Sequence, residues 1–190
     1  MTDTTDRIDS RNTHHPPHWF QDNTWYALTA CTFNRVPIFQ ADEKKALWRD
    51  QLKTLTIELH LSLAAWVILD NHYHLLIEFD NASELPHILR RLHGSTANAV
   101  NKLDDTLGRR VWQNYWDTCI RNERGYWMRF NYIHHNPVKH GLTHCMSDYE
   151  FSSYAYYLRT RGGDWLADAF HRYPIKDYTD IFDDYAKKVG

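Results

Sequence analysis

The chain has 190 residues, 43% of them hydrophobic, and its 22 Lys and Arg against 24 Asp and Glu give a formal net charge of -2. These values are typical of one globular domain with appendages, and they exclude a protein that coats nucleic acid through overall positive charge. Since there is no run of about 18 apolar residues and no apolar leader, we expect neither membrane insertion nor export. The three cysteines form no Cys-x-x-Cys pair, which favours a reducing cytoplasm.

Positive charge is concentrated in the middle of the chain. Residues 86–145 hold nine Lys and Arg against four Asp and Glu, whereas residues 1–85 hold seven against twelve. Because phosphate binding requires only a local positive field, this segment is compatible with a DNA partner. The same pattern also fits solvated helix faces, so the charge count leaves both interpretations open.

The first half of the chain alternates between strand and helix patterns. Residues 1–22 are polar and interrupted by proline, which predicts a flexible arm. Residues 25–32 are rich in aromatic and small side chains and predict a strand inside a sheet. Residues 41–59 carry apolar side chains at roughly helical spacing, which predicts an amphipathic helix. Two β-rich runs follow at 61–69 and 72–79, and the Asp-Asn pair between them suits a tight antiparallel hairpin.

The second half continues this alternation. A helix is predicted from about residue 81 to residue 103, because Asn81 and Glu84 resemble a capping pair ahead of apolar residues. Residues 109–120 predict another strand, and residues 122–136 predict a third helix. The first six of these elements follow the order of a split βαβ arrangement. We therefore predict an α+β fold with a ferredoxin-like antiparallel sheet and helices packed on it.

Two histidines stand at alternate positions of the predicted strand 72–79. Alternate strand residues point to the same side, so His72 and His74 share a face, whereas Tyr73 and the apolar residues that alternate after it form the other face. The histidines are thus left on the more polar side, where two imidazoles can hold one divalent ion. Structural or surface histidines would give the same pattern, and a metal site requires a third ligand.

The strongest candidate for that ligand lies at the end of the third helix. Tyr132 and Asn136 are four residues apart and share a helix face, and Pro137 disfavours a helical Asn136, which places the pair in the final turn. An amide oxygen there can complete a metal site that the phenol also faces. The alternative is a buried tyrosine with a satisfied hydroxyl and an asparagine that ends the helix.

The combination of these motifs resembles the REP-associated tyrosine transposases, which are single-tyrosine members of the HUH endonuclease superfamily. The matching blocks are CTFNRVPIF at 31–39, DNHYHLL at 70–76, VWQ at 111–113, the pattern Y-I-x-x-N-P-V-x-x-G at 132–141, and FSSY at 151–154. The glycine-ended pattern at 132–141 is specific, and its position after His-x-His follows the family order. The resemblance implies a catalytic domain over residues 23–157 and a C-terminal tail over 158–190.

The resemblance also implies a reaction and its residues. Tyr132 would be the nucleophile, His72 and His74 the metal ligands, and Asn136 the residue at the third-ligand position, with Mg²⁺ or Mn²⁺ as cofactor. The implied reaction is cleavage and transfer of single-stranded DNA through a 5′-phosphotyrosine intermediate. Two departures stand out: many relatives have Gln at the position of Asn136, and the residue between the histidines, Tyr73 here, is commonly aliphatic.

The implied partner is single-stranded DNA that carries a REP-type hairpin, bound by a monomer or homodimer in the bacterial cytoplasm at the nucleoid. Candidate phosphate contacts are basic residues of the matched blocks and of the basic segment. They are Arg35, Arg90, Arg91, Arg109, Arg110, Arg121, Lys139 and His140. Trp112, with Tyr115 and Trp116, is a candidate platform for base stacking, although alternating aromatics are also normal in a strand core.

Two other functions are compatible with these motifs. A hydrolytic metalloenzyme could use the histidine pair with a carboxylate such as Glu78 or Asp70 and a water nucleophile. A DNA-binding module could have kept the fold without cleavage. Only the tyrosine reaction predicts a covalent protein–DNA intermediate.

Overall fold

The computed structural model describes residues 21–175 and Tyr178, and the other residues of the predicted arm and tail lie outside this range. The strands are β1 (Thr24–Thr32), β2 (Ser62–Ile68), β3 (His72–Phe79) and β4 (Trp112–Cys119). The α-helices are α1 (Asp42–Glu58), α2 (Leu85–Leu103), α3 (Glu123–Lys139), α4 (Tyr154–Arg161) and α5 (Gly163–Arg172). No helix in the described part of the chain combines the length and apolarity needed to cross a bilayer.

The four strands form one sheet in the order β2-β3-β1-β4, and each neighbouring pair is antiparallel. The helices α1 and α2 connect β1 to β2 and β3 to β4, which is the split βαβ connectivity. The predicted α+β class and ferredoxin-like antiparallel sheet are therefore confirmed. The hairpin between β2 and β3 turns at Asp70 and Asn71, as the polar pair predicted.

One face of the sheet packs on α1 and α2. Tyr73 of β3 lies in this core, with its ring 4.9 Å from that of Trp48 on α1 and 5.3 Å from that of Trp112 on β4. All three side chains are buried, as expected for a strand whose alternate residues are uniformly apolar. This layer orients β3, so that the histidines point to the opposite side.

The opposite face is covered by α3, which packs on β2 and β3. As a result, β3 is buried on both faces, and only 4% of His72 and 2% of His74 is exposed. The expectation that the histidines lie on the more polar side therefore needs a correction. Their neighbours are polar, but the helix that carries Tyr132 closes the face to bulk solvent.

The helices α4 and α5 extend the layer that contains α3. Leu166 and Ala169 of α5 are buried, and the side chain of Asn131 on α3 donates hydrogen bonds to the carbonyl oxygens of Ala169 and Tyr173, both at 2.9 Å. The predicted boundary between residues 157 and 158 differs from this arrangement, because α4 runs across it. The packed unit includes α5, whose apolar residues recur at helical spacing and face α3.

Candidate active site

The two histidines of β3 form the floor of the site. In the β1–β3 ladder His72 is opposite Cys31 and His74 is opposite Thr29. The imidazole centroids are 5.1 Å apart, with an interplanar angle of 88°. The shared face that alternation predicted is therefore confirmed, and both rings lie beneath α3.

Each imidazole is oriented by a polar neighbour at Nδ1. In His72 this nitrogen lies 2.7 Å from Oδ1 of Asn71, and in His74 it lies 2.7 Å from Oγ1 of Thr29. Partners of this kind hold a ring so that Nε2 is the atom presented to a ligand, an arrangement common around metal-binding histidines. Neither Asn71 nor Thr29 was predicted as a site residue, although Asn71 stands in the block at 70–76.

Tyr132 reaches the histidine pair from α3. Its ring centroid lies 5.5 Å from that of His74, edge to face at 79°, and only 3% of the residue is exposed. The Lys139 ammonium donates a hydrogen bond to the phenolic oxygen at 3.3 Å and lies 4.8 Å from the ring centroid. The next residue, His140, has its ring 4.9 Å from that of His72. The structure thus brings together the predicted nucleophile, both predicted histidine ligands and two predicted phosphate contacts.

Asn136 is buried one helical turn beyond Tyr132. Its side-chain nitrogen donates to the backbone carbonyl of Tyr132 at 3.2 Å, while its buried oxygen has no hydrogen-bond partner among the described residues. A buried carbonyl without a partner is costly, so the site has an acceptor that a cation or a donor from a substrate could satisfy. This observation fits Asn136 at the third-ligand position.

The end of α3 differs from the prediction. The helix continues through Pro137 to Lys139 instead of ending at Asn136. It closes at Gly141, which has φ +68°, with the Gly141 amide bonded to the Val138 carbonyl at 3.0 Å and the Leu142 amide bonded to the Pro137 carbonyl at 2.9 Å. The glycine-ended motif therefore encodes a helix stop after the proline, and the added residues bring Lys139 to the phenol.

Tyr178 packs on the candidate nucleophile from outside the matched blocks. Its ring lies 4.7 Å from that of Tyr132, and the Arg129 guanidinium lies 5.4 Å from the Tyr178 ring centroid. Sequence reasoning did not find this contact, because nothing in the tail indicates which tyrosine meets the domain.

The remaining predicted phosphate contacts are dispersed. Arg91 bonds to Glu58 at 2.6 Å, and Arg109 bonds to Asp104 at 2.7 Å, so DNA would compete with intramolecular pairs at both. The Arg110 guanidinium lies 4.4 Å from the ring centroid of Phe33. Arg90 and Arg121 are exposed, and Arg35 is partly buried in the turn after β1. By contrast, Lys139 contacts Tyr132 and His140 contacts His72.

Trp112 is a core residue. Its indole stacks 4.9 Å from His93 and 4.9 Å from Phe39, and its nitrogen donates to Thr96 at 2.9 Å. The strand-core alternative therefore describes this side chain, and its buried faces cannot stack on a base. Trp116, by contrast, is half-buried on the edge strand opposite Thr29 and thus on the histidine face.

The carboxylates of the hydrolase alternative do not join the histidines. Asp70 pairs with Lys45 at 2.9 Å, and Glu78 lies toward the far end of β3, opposite Trp25. Within the described ranges, no group of three or more His, Cys, Asp or Glu side chains is placed to hold a metal. The candidate metal donors at this site are therefore the imidazoles of His72 and His74 and the amide oxygen of Asn136.

Other histidines of α3 are structural. His134 is buried with Nε2 2.7 Å from the Ser153 hydroxyl, and burial lowers its pKa to about 3. Burial, followed by the charge of Lys139, also lowers the pKa of His135. His134 is thus a core residue held by Ser153.

Comparison with known proteins links this geometry to a family. Residues 20–136, which include both histidines and Tyr132, match the family model described as "Transposase IS200 like". The chain is 29% identical over 92 residues to the REP-associated tyrosine transposase of Escherichia coli (strain K12), an alignment that covers 47% of this chain and 52% of that protein. The chain thus spans about half the length of this curated relative.

A solved structure is similar over most of its length. It is described as a REP-associated tyrosine transposase bound to a REP hairpin, and it matches with a TM-score of 0.69 at 20% identity, covering 88% of this chain and 93% of that one. This likeness establishes the shared fold. Because the family match extends over more than half of the chain, the protein belongs to the family of IS200-like transposases, and the resemblance to REP-associated tyrosine transposases is confirmed.

Proposed function

We propose that this transposase cleaves and rejoins single-stranded DNA by transesterification, with Tyr132 as the nucleophile. The observation that carries this proposal is the contact of the Tyr132 ring with His74, with the Lys139 ammonium at the phenolic oxygen. A tyrosine that served only to fill the core would not require an ammonium at its hydroxyl and two oriented imidazoles beside it.

The reaction exchanges one phosphoester bond for another. The phenolic oxygen of Tyr132 attacks a phosphodiester and gives up its proton, the bond between phosphorus and the 3′-oxygen breaks, and that oxygen leaves as a 3′-hydroxyl after taking a proton. The DNA 5′-phosphate is then esterified to the tyrosine. Because the ester is retained, a 3′-hydroxyl can attack it and join a strand without an external energy source.

The site fits a divalent cation held by His72, His74 and Asn136. Two imidazoles oriented through Nδ1 and a buried amide oxygen without a partner are a donor set that suits such an ion, either Mg²⁺ or Mn²⁺. When bound, the ion would stabilise negative charge on a nonbridging phosphate oxygen. Of these two ions, imidazole ligands favour Mn²⁺.

Lys139 supplies positive charge at the reacting oxygen. A phenol with a reference pKa of about 10 is a weak nucleophile, and an ammonium 3.3 Å away favours negative charge on the same atom. The same contact serves the reverse step, in which the phenolic oxygen is the leaving group. The fold places this cation by continuing α3 beyond Pro137.

The proposed substrate is a single-stranded DNA hairpin of the REP type. The solved relative that shares this fold is described as bound to such a hairpin. Here the basic segment 86–145 includes α3, Lys139 contacts Tyr132, and His140 lies beside His72. Phosphate contacts would position the strand, and a substrate of this kind would place the protein at the bacterial nucleoid in the cytoplasm.

The test uses an end-labelled single-stranded hairpin oligonucleotide with Mn²⁺ and a denaturing gel. The wild-type protein should give a covalent protein–DNA band together with the released fragment. Tyr132→Phe should abolish both, while Tyr156→Phe, an exposed tyrosine on α4, should leave both unchanged. Cleavage that survives Tyr132→Phe would instead indicate a water nucleophile, and binding without cleavage would indicate a DNA-binding module.

A further inference from the structure

The side chain of Asn71 joins a surface turn to the histidine pair. Its nitrogen donates to the backbone carbonyl of Arg35 at 3.1 Å, and its oxygen lies 2.7 Å from Nδ1 of His72. Asn71 is the first residue before β3, so one amide links the β2–β3 hairpin, the turn after β1 and the imidazole of His72.

These two contacts determine where the imidazole proton lies. A backbone carbonyl can only accept, so the amide must direct its NH₂ group to Arg35 and its oxygen to His72. An amide oxygen can also only accept, so Nδ1 of His72 must carry the proton and donate it. In a neutral ring this leaves the lone pair on Nε2, which is the form that ligates a metal through that atom.

The turn that anchors Asn71 has an unusual backbone. Asn34 and Arg35 have φ values of 52° and 55°, in the left-handed region, and the turn is closed by a hydrogen bond of 2.6 Å from the Thr32 hydroxyl to the Val36 carbonyl. The Thr32 amide also donates to the Asn71 carbonyl at 2.8 Å. This conformation directs the Arg35 carbonyl at the amide, so the block at 31–39 supports His72.

The hairpin residue before Asn71 is held as well. Asp70 forms a largely buried ion pair with Lys45 at 2.9 Å, and its carbonyl accepts from the Phe39 amide at 2.9 Å. By contrast, His74 has a hydroxyl partner, Thr29, which can either donate or accept and therefore selects no tautomer. The two histidines thus differ: the Asn71 amide fixes the tautomer of His72, whereas Thr29 allows either tautomer of His74.

We propose that Asn71 is a positioning residue that holds His72 in the Nδ1-protonated tautomer and so presets Nε2 for metal binding. The tautomer follows from the contacts above, whereas the effect on metal affinity rests on the proposed function. The carboxamide acts through His72 and does not itself meet the DNA or the ion.

The first measurement needs neither metal nor DNA. Full-length protein with ¹⁵N-labelled histidine is examined by long-range ¹H–¹⁵N correlation NMR near pH 8, about 1.5 units above the reference pKa of histidine, so that exposed rings are neutral. The His72 signals are assigned by their loss in His72→Gln. We expect His72 as the Nδ1-protonated tautomer, and the Nε2-protonated form in the wild type would overturn the proposal.

The second measurement is Mn²⁺ affinity by isothermal titration. Asn71→Ala should weaken binding about tenfold, the low end of what loss of such a partner costs. Asn71→Asp, which keeps an acceptor for Nδ1 but cannot donate to Arg35, should bind within about threefold of the wild type because the acceptor is the part that acts on the ring. The exposed Asn98→Ala on α2 is the matched control.

The outcomes separate this proposal from the proposed function. Unchanged Mn²⁺ affinity in Asn71→Ala would overturn the positioning role, and equal losses in the Ala and Asp variants would assign Asn71 to the turn alone. If the Nδ1-protonated tautomer is observed but no Tyr132 adduct forms, the proposed reaction is wrong and the tautomer assignment still stands. If Asn71→Ala does not fold, the wild-type spectrum and Asn71→Asp still decide.

Discussion

Replacement of Lys139 by Met would remove the ammonium from the phenolic oxygen of Tyr132 while keeping a side chain of similar length. A hydrogen bond to a charged group contributes about 1.5–3 kcal/mol, and Lys139 is exposed, so solvent screening favours the low end. At about 1.4 kcal/mol for each factor of ten, the covalent step should slow about tenfold. Lys139→Arg should recover part of this loss.

The assay is single-turnover formation of the covalent adduct at saturating oligonucleotide, with binding measured separately by fluorescence anisotropy. Lys102→Met, in the last turn of α2, is the control for loss of one exposed positive charge. A role at the reacting oxygen lowers the rate constant and changes Kd by no more than about twofold, the effect of one peripheral charge. A tenfold increase in Kd with an unchanged rate constant would refute this reasoning and make Lys139 a phosphate contact alone.

Three further predictions concern the ligands, the helix end and pH. His72→Ala and His74→Ala should each abolish cleavage and largely spare hairpin affinity by anisotropy; a matching loss of affinity would assign the histidines to binding or structure. Gly141→Ala forces a side chain into a backbone with φ +68°, so urea unfolding should show a loss of about 1 kcal/mol, and an unchanged midpoint would contradict the helix-stop role. Burial lowers the pKa of His134 to about 3, below its unfolded value, so its neutral form favours folding. The unfolding free energy should therefore be highest above the unfolded pKa of about 6.5 and fall as pH drops from there toward 3, a fall that His134→Gln should reduce in urea titrations at pH 7 and pH 5.

Periodicity was sufficient to predict the sheet and its main helices. The change from helical spacing in residues 41–59 to alternation in β3 is a local property of the chain, because each pattern reports which face of an element meets the core. Alternation also predicted that His72 and His74 share a face. Alternation did not predict that α3 would cover that face, because tertiary packing decides which element covers a sheet face.

The end of α3 could not be predicted from the preference of proline alone. Pro137 lacks the amide that a helix interior uses, and the chain nevertheless continues for two residues before the glycine stop at Gly141 closes it. The local preference of Asn136 for extended backbone was overridden by bonds that form beyond the proline. The consequence for the site is large, since Lys139 depends on this last turn.

Trp112 and Tyr178 show two other limits. An aromatic residue in a strand has the same sequence signature whether it is buried or exposed. Only the contacts of Trp112 with His93 and Phe39 identify it as a core residue and not a stacking platform. Tyr178 lies beyond every matched block, so its contact with Tyr132 follows from the path of the chain after α5. Both cases depend on long-range packing that no local pattern encodes.

Locating the covalent bond between protein and DNA shows most directly whether Tyr132 is the nucleophile. After reaction with a hairpin oligonucleotide and Mn²⁺, nuclease treatment trims the DNA, and trypsin cleavage after Arg129 and Lys139 releases peptide 130–139, whose single tyrosine is Tyr132. Tandem mass spectrometry should find this peptide carrying a nucleotide 5′-phosphate on the phenolic oxygen. Cleaved DNA with peptide 130–139 wholly unmodified, or the nucleotide on another residue, would contradict the account.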